Sequence, residues 1–146
     1  MSNSQGPKIR VLVADADQVF RETLTAILGL EDDLQIVGTA ALAGQALSAT
    51  LSLRPDVAVL ASPLRGLATL PLTIALRHQL PTCAVVVIAT HPGESLNELL
   101  SKGVRAVLRK EAQGQEVAAC IRAVHGGGRY VDPESITEAI RHRNRT

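Results

Sequence analysis

Residues 9–24, Ile9-Arg-Val-Leu-Val-Ala-Asp-Ala-Asp-Gln-Val-Phe-Arg-Glu-Thr-Leu24, change their hydrophobic period within one short stretch. Ile9–Ala14 is a compact apolar run of strand length, rich in β-branched residues. Two aspartates interrupt it. Phe20, Leu24, Ile27 and Leu28 then fall at helical spacing, with Arg21, Glu22 and Thr25 off that face. A buried strand that passes through a polar turn into an amphipathic helix is the opening half of a βα unit, and the rest of the chain repeats it.

Four more strand-like runs follow: Leu34–Ala40, Asp56–Ala61, Cys83–Ala89 and Val104–Arg109. Cys83–Ala89 is apolar without alternation, as expected of a central strand covered on both faces, whereas Val104–Arg109 carries charges suited to a sheet edge. Helical segments are expected between the strands: Gly44–Leu53, Leu70–Gln79 before Pro81, a turn built on Leu96, Leu99 and Leu100 before Gly103, and Gln113–His125 before three glycines. Asp132-Pro133-Glu134 has the form of an N-cap, a first-turn proline and a dipole-favourable acid, so a short helix through about Arg143 is expected, with Ile136 and Ile140 on one face. The fold class is therefore α/β, a (βα)5 three-layer sandwich on a five-stranded parallel sheet plus a short C-terminal helix. Its functional crevice lies at the carboxyl ends of the strands. Residues 1–7 read as a disordered leader, 8–126 as one domain, and 127–146 as a linker carrying the last helix.

Composition narrows the function. The chain has 146 residues, 46% hydrophobic and 20% charged, with Phe20 and Tyr130 its only aromatics. A platform that stacks nucleic-acid bases, or a flavin site that sandwiches its ring, needs aromatic rings that are not there. A net charge of +1 gives no general attraction to DNA or anionic membranes; the one basic cluster, Arg141–Arg145, reads more simply as a solvated tail. The polar N-terminus and the absence of a long apolar run point to the cytoplasm and away from the membrane. Cys83 and Cys120 fit no zinc spacing and read as buried thiols.

The stretch from Ile9 to Leu24 resembles the opening of two-component receiver domains of the NarL/FixJ group. The resemblance continues through Arg54-Pro-Asp-Val-Ala-Val-Leu-Ala61, Val85–Thr90, Gly103–Glu111 and Gly127–Glu134, so it covers about residues 8–134. It implies the same CheY-like, flavodoxin-like fold. In that family an acidic pair after the first strand and an aspartate ending the third hold magnesium, and the third-strand aspartate takes a phosphoryl group. Both tasks need carboxylate oxygens. Mapped residue by residue, Asp15 matches the first acid but Ala16 replaces the second. Ala61 replaces the phospho-acceptor, Ala89 the switch Ser/Thr with Thr90 one place late, and Val107 an often aromatic switch position. Lys110 retains the lysine that contacts the phosphoryl group.

Alanine has no lone pair with which to attack phosphorus or bind a metal. The expectation is thus a domain with no catalytic residue and no cofactor, whose degenerate phosphorylation pocket comprises Asp15, Ala16, Asp17, Ala61, Ala89, Thr90 and Lys110. Magnesium at Asp15 and Asp17 would be weak. Asp15 and Lys110 are expected to form an ion pair and Asp17 to cap the first helix; His91 reads as solvated and Gly126–Gly128 as a helix terminator. The resemblance implies a phosphorylation-independent regulatory domain of a bacterial transcription regulator, acting as a homodimer or on a partner regulator. DNA would be reached only through an effector domain following this segment. Association is expected through the first and fifth helices, or through the fourth helix, fifth strand and fifth helix, where Glu94, Glu98, Glu116, Lys102, Arg105, Arg109 and Arg122 would mix. A small-molecule sensor that uses the emptied crevice, a stand-alone interaction module, and residual activity on another residue such as Ser62 are the alternatives.

Overall fold

The structure is a computed structural model that describes residues 6–62, 69–112 and 114–145; for residues 62, 69, 70, 94 and 145 it describes the backbone alone. Residues 63–68, most of the leader, Gln113 and the side chains of Ser62, Leu70, Glu94 and Arg145 therefore lie outside the described residues. Strands β1 (Ile9–Ala14), β2 (Leu34–Ala40), β3 (Val57–Ser62), β4 (Ala84–Ala89) and β5 (Ala106–Arg109) alternate with helices α1 (Gln18–Gly29), α2 (Ala43–Leu53), α3 (Thr69–Gln79), α4 (Leu96–Ser101) and α5 (Gly114–His125). A 3-10 turn, Pro92–Ser95, leads into α4, and the chain ends in β6 (Tyr130–Val131) and α6 (Pro133–Arg145). No helix among the described residues is long and apolar enough to cross a membrane.

All pairings are parallel and the strand order is β2-β1-β3-β4-β5-β6. The uniform apolarity of β4 has a direct cause in this layering. Val85, Val87 and Ala89 join the core beneath α2, α3 and α4, while Val86 and Ile88 join the core that α1 and α5 cover. β1 and β3 divide likewise, Leu12 and Leu60 to one side and Val11, Val13, Val57 and Val59 to the other. A strand covered on both faces leaves no position for a polar residue.

The sheet has six strands rather than five, and β5 is not its edge. Past the glycines, Tyr130 donates its backbone N–H to the Arg105 carbonyl at 3.0 Å, and Asp132 donates to that of Val107 at 3.0 Å. Two residues of added strand are too short to show a period, which is why the sequence pattern hid them. The charges that suggested an edge are used otherwise. Arg105 reaches the Gly127 carbonyl at 3.2 Å, and Arg109 sits between Glu111 and Glu134.

Gly127 (φ 93°) terminates α5 as expected: it adopts the left-handed backbone while Gly128 N–H returns to the Ala123 carbonyl at 2.9 Å. α6 begins where Asp132-Pro133-Glu134 placed it, with the Ser135 and Ile136 amides bonded to the Asp132 carbonyl, and it packs on the 3-10 turn, α4 and β5. Both cysteines are free and buried, and burial pushes each thiol up to about 12, so neither carries appreciable thiolate at neutral pH.

Candidate functional site

Parallel register brings the strand ends together. Ala14 pairs with Leu60, Ala61 with Ile88 and Ala89 with Arg109, so the next residues along, Asp15, Thr90 and Lys110, rim one crevice with Ala61. Asp15 is 2% exposed, a carboxylate in an otherwise apolar setting, and it persists because each oxygen is satisfied. Lys110 Nζ lies 2.9 Å from Asp15 Oδ2, and the Asp17 amide donates to Oδ1 at 2.8 Å. Lys110 is further held 4.2 Å above the Phe20 ring centroid, a cation–π contact, and its backbone N–H donates to the Ala89 carbonyl at 3.1 Å.

Asp17 turns away from this crevice. Its carboxylate accepts from the Phe20 amide at 3.1 Å and so caps α1, as the sequence suggested. Ala61 is 2% exposed and Ala89 9%; Ala16 is half-buried and Thr90 is exposed. Val107 is fully buried in the α2–α3–α4 core. Of the seven pocket positions nominated by the sequence, Asp15 and Lys110 are joined, Ala16, Ala61 and Ala89 are chemically silent, Thr90 is exposed, and Asp17 is occupied in capping helix α1.

Magnesium would need several oxygen ligands here. Asp15 has one oxygen on an ammonium and the other on an amide, Asp17 is spent on a helix cap, and Ala16 and Ala61 offer none. Among the described residues no three His, Cys, Asp or Glu side chains gather as a metal site. The residues present do not fit the ion.

Two surface expectations change. His91 is not simply solvated: its Nδ1 lies 3.5 Å from Glu138 Oε2 of α6. The charged face expected along α4, β5 and α5 is dispersed. Arg122 points instead to the α1 side, where it grips Asp33 at 2.7 and 2.8 Å and Glu31 at 2.5 Å, and its guanidinium holds the Asp33 carboxyl below its usual range. Glu116 accepts from the Tyr130 hydroxyl at 2.8 Å, which pushes that phenol up to about 12. A cleft of about 250 Å3 between β5, α5 and the start of α6 is lined by Arg109, Glu111, Ala112, Glu116, Asp132 and Glu134, a net acidic rim. None of these partnerships is local in sequence except that of Arg109 with Glu111, so periodicity offered no signal for them.

A parallel doubly wound sheet with an aspartate after β1 and a lysine after β5 paired across the strand ends defines the receiver class of α/β domains. No family model matches the chain. It is 28% identical over 128 residues to the transcriptional regulatory protein MctR of Rhizobium johnstonii, across 87% of this chain and 60% of that protein. It is 32% identical over 127 residues to the response regulator GacA of Pseudomonas viridiflava, across 86% of this chain and 59% of the relative. The chain therefore spans about three fifths of the curated relatives it matches. Among solved structures it resembles the signal receiver domain of the putative response regulator NarL from Mycobacterium tuberculosis, with a TM-score of 0.79 and 27% identity, covering 84% of this chain and 99% of that one. The matched relatives are response regulators of the NarL/LuxR type, and over most of its length this chain is similar to their receiver domains.

Proposed function

We propose that this receiver regulates transcription without phosphorylation, as a cytoplasmic protein-contact domain that binds no magnesium. The observation that carries the reading is the internal pairing of the crevice: Ala61 stands where a phospho-acceptor is needed, and Lys110 is already paired with the Asp15 carboxylate at 2.9 Å. A switch worked by a ligand needs differential affinity for two states. With acceptor and metal ligands gone, the phosphoryl group supplies none, and the scaffold rests in one arrangement. A small-molecule sensor draws less support, because the lysine that would greet an anion is engaged by a carboxylate and a ring.

Output through a second copy is favoured by α1. Besides its buried stripe it carries a second one, Val19, Thr23, Ala26 and Leu30, all exposed, with Val19 75% and Leu30 80% open. Exposed apolar residues aligned along a helix mark an association surface. Ala119 and Ala123 lie exposed on neighbouring α5 and permit close approach. The α1–α5 face, rather than the β5 side now covered by β6 and α6, is where we place the homodimer. Size exclusion with light scattering over a range of concentrations is expected to give a dimer that Leu30→Glu converts to monomer; a monomer at every concentration would remove dimerisation from the proposal. Contact with DNA would fall to an effector domain outside this segment; the regulatory role is in keeping with the relative MctR, a transcriptional regulatory protein.

A further inference from the structure

Glu138 is the one α6 carboxylate directed at the loop that leaves the crevice. Its Oε1 accepts the Gly93 amide at 2.8 Å, and its Oε2 lies 3.5 Å from His91 Nδ1. Glu138 is about two-thirds buried in this contact, at 30% side-chain exposure, and Gly93 is buried. The approach is so close that it requires glycine: a Cβ at position 93 would lie 2.5 Å from Glu138 Cβ and 2.7 Å from its Cγ and Oε1. The first of these atoms is fixed to the helix backbone and cannot swing aside. Glycine at 93 and glutamate at 138, 45 residues apart, are thus fitted to one another.

We infer that Glu138 is a latch that fastens the β4–α4 loop to α6 and so couples the strand-end crevice to the chain's last helix. The physical connection is short. The Asp15–Lys110 pair fixes the start of the β5–α5 loop, and the Lys110 amide holds the Ala89 carbonyl at the end of β4. Thr90, His91 and Pro92 then lead directly to Gly93 and its bond to Glu138. One turn earlier, at its N-terminal start, α6 is also secured by Arg109, the residue preceding Lys110, through Glu134. The first turns of the helix are therefore gripped by the β4–α4 loop and by the last residue of β5, both at the strand ends that border the crevice. Any event that shifts the β4–α4 loop must break or carry the Glu138 contact, and any force on α6 is delivered to the same loop, since coupling of this kind is reciprocal. The inference concerns coupling alone and stands apart from whether the domain is phosphorylated.

Amide hydrogen exchange on the full chain tests it. A charge-assisted hydrogen bond with a buried amide is strong enough that its loss is expected to speed local opening about tenfold or more. Glu138→Ala should therefore accelerate exchange at Gly93, across α6 and at the Lys110 amide, while β1 and β3 keep wild-type protection. Glu138→Gln retains an acceptor for Gly93 but not the carboxylate charge that strengthens the bond, and should fall between. Gly93→Ala should release α6 by collision with the Cβ of residue 138, which alanine there retains, so adding Glu138→Ala to Gly93→Ala should accelerate exchange little further, the hydrogen bond being already broken. Unchanged α6 exchange in both single variants, or full additivity of the two, would overturn the latch. Release of α6 with an unchanged Lys110 amide would overturn its coupling to the crevice, and acceleration spread evenly over β1 and β3 would mark a general loss of stability instead.

Discussion

Lys110→Ala is expected to cost the domain about 3 kcal/mol, measured by urea unfolding, because it strands the Asp15 carboxylate at 2% exposure bonded by the Asp17 amide alone, the nearby Arg21 guanidinium being taken by the Asp15 main-chain carbonyl at 2.6 Å. The reverse change should cost much less. In Asp15→Ala the lysine is left, but its side chain is 25% exposed and its long stem lets the ammonium reach water while it still overlies Phe20. The two halves of the ion pair therefore differ in consequence, with the buried member the more costly to abandon. The double variant Asp15→Ala/Lys110→Ala should recover part of the loss seen with Lys110→Ala, since it removes the stranded charge. Equal losses for the two single variants, or a double variant worse than either, would show that the pair is not held as described.

Ala61→Asp should destabilise the domain by roughly 2 kcal/mol and confer no phosphoryl acceptance. Position 61 is 2% exposed and lies beside Asp15, one step beyond the Ala14–Leu60 pair, so a second carboxylate meets a like charge in a site whose lysine is taken. Ala16 still withholds the third oxygen ligand. Only when Ala16→Asp is added does the crevice gain an acidic group able to share magnesium with Asp15 and position 61. The Ala16→Asp/Ala61→Asp protein is expected to gain several degrees in melting temperature on addition of magnesium, through preferential binding to the folded state, and the wild type to gain none. A magnesium-dependent rise in the wild-type protein would mean that Asp15 has a free oxygen after all.

The sequence exposed the parts of this molecule that repeat. β4 could be read because a strand buried on both faces must be apolar at every position, and α1 because its core stripe recurs at helical spacing. The Asp15–Lys110 pair was within reach because the resemblance put both residues at strand ends that a parallel sheet brings together. What stayed hidden rests on single contacts between distant segments. β6 is two residues long, too short for a pattern, and its presence reversed the assignment of β5 as an edge. Arg122 was placed on the wrong surface because a helical position says which face a residue shares, not that Asp33 and Glu31 wait across from it. Gly93 and Glu138 looked unremarkable separately; one is a loop glycine and the other an acid on an exposed helix, and their fit exists only after α6 docks.

The central claim of the proposed function is that phosphoryl chemistry is lost, and intact mass measures it directly. The full chain is incubated with a small-molecule phosphodonor and magnesium, alongside a receiver that retains its acceptor aspartate as a positive control. An unchanged mass is expected for this protein, because neither Ala61 nor the engaged Asp15 presents a free carboxylate to the donor. A mass increased by one phosphoryl group, on any residue, would contradict it.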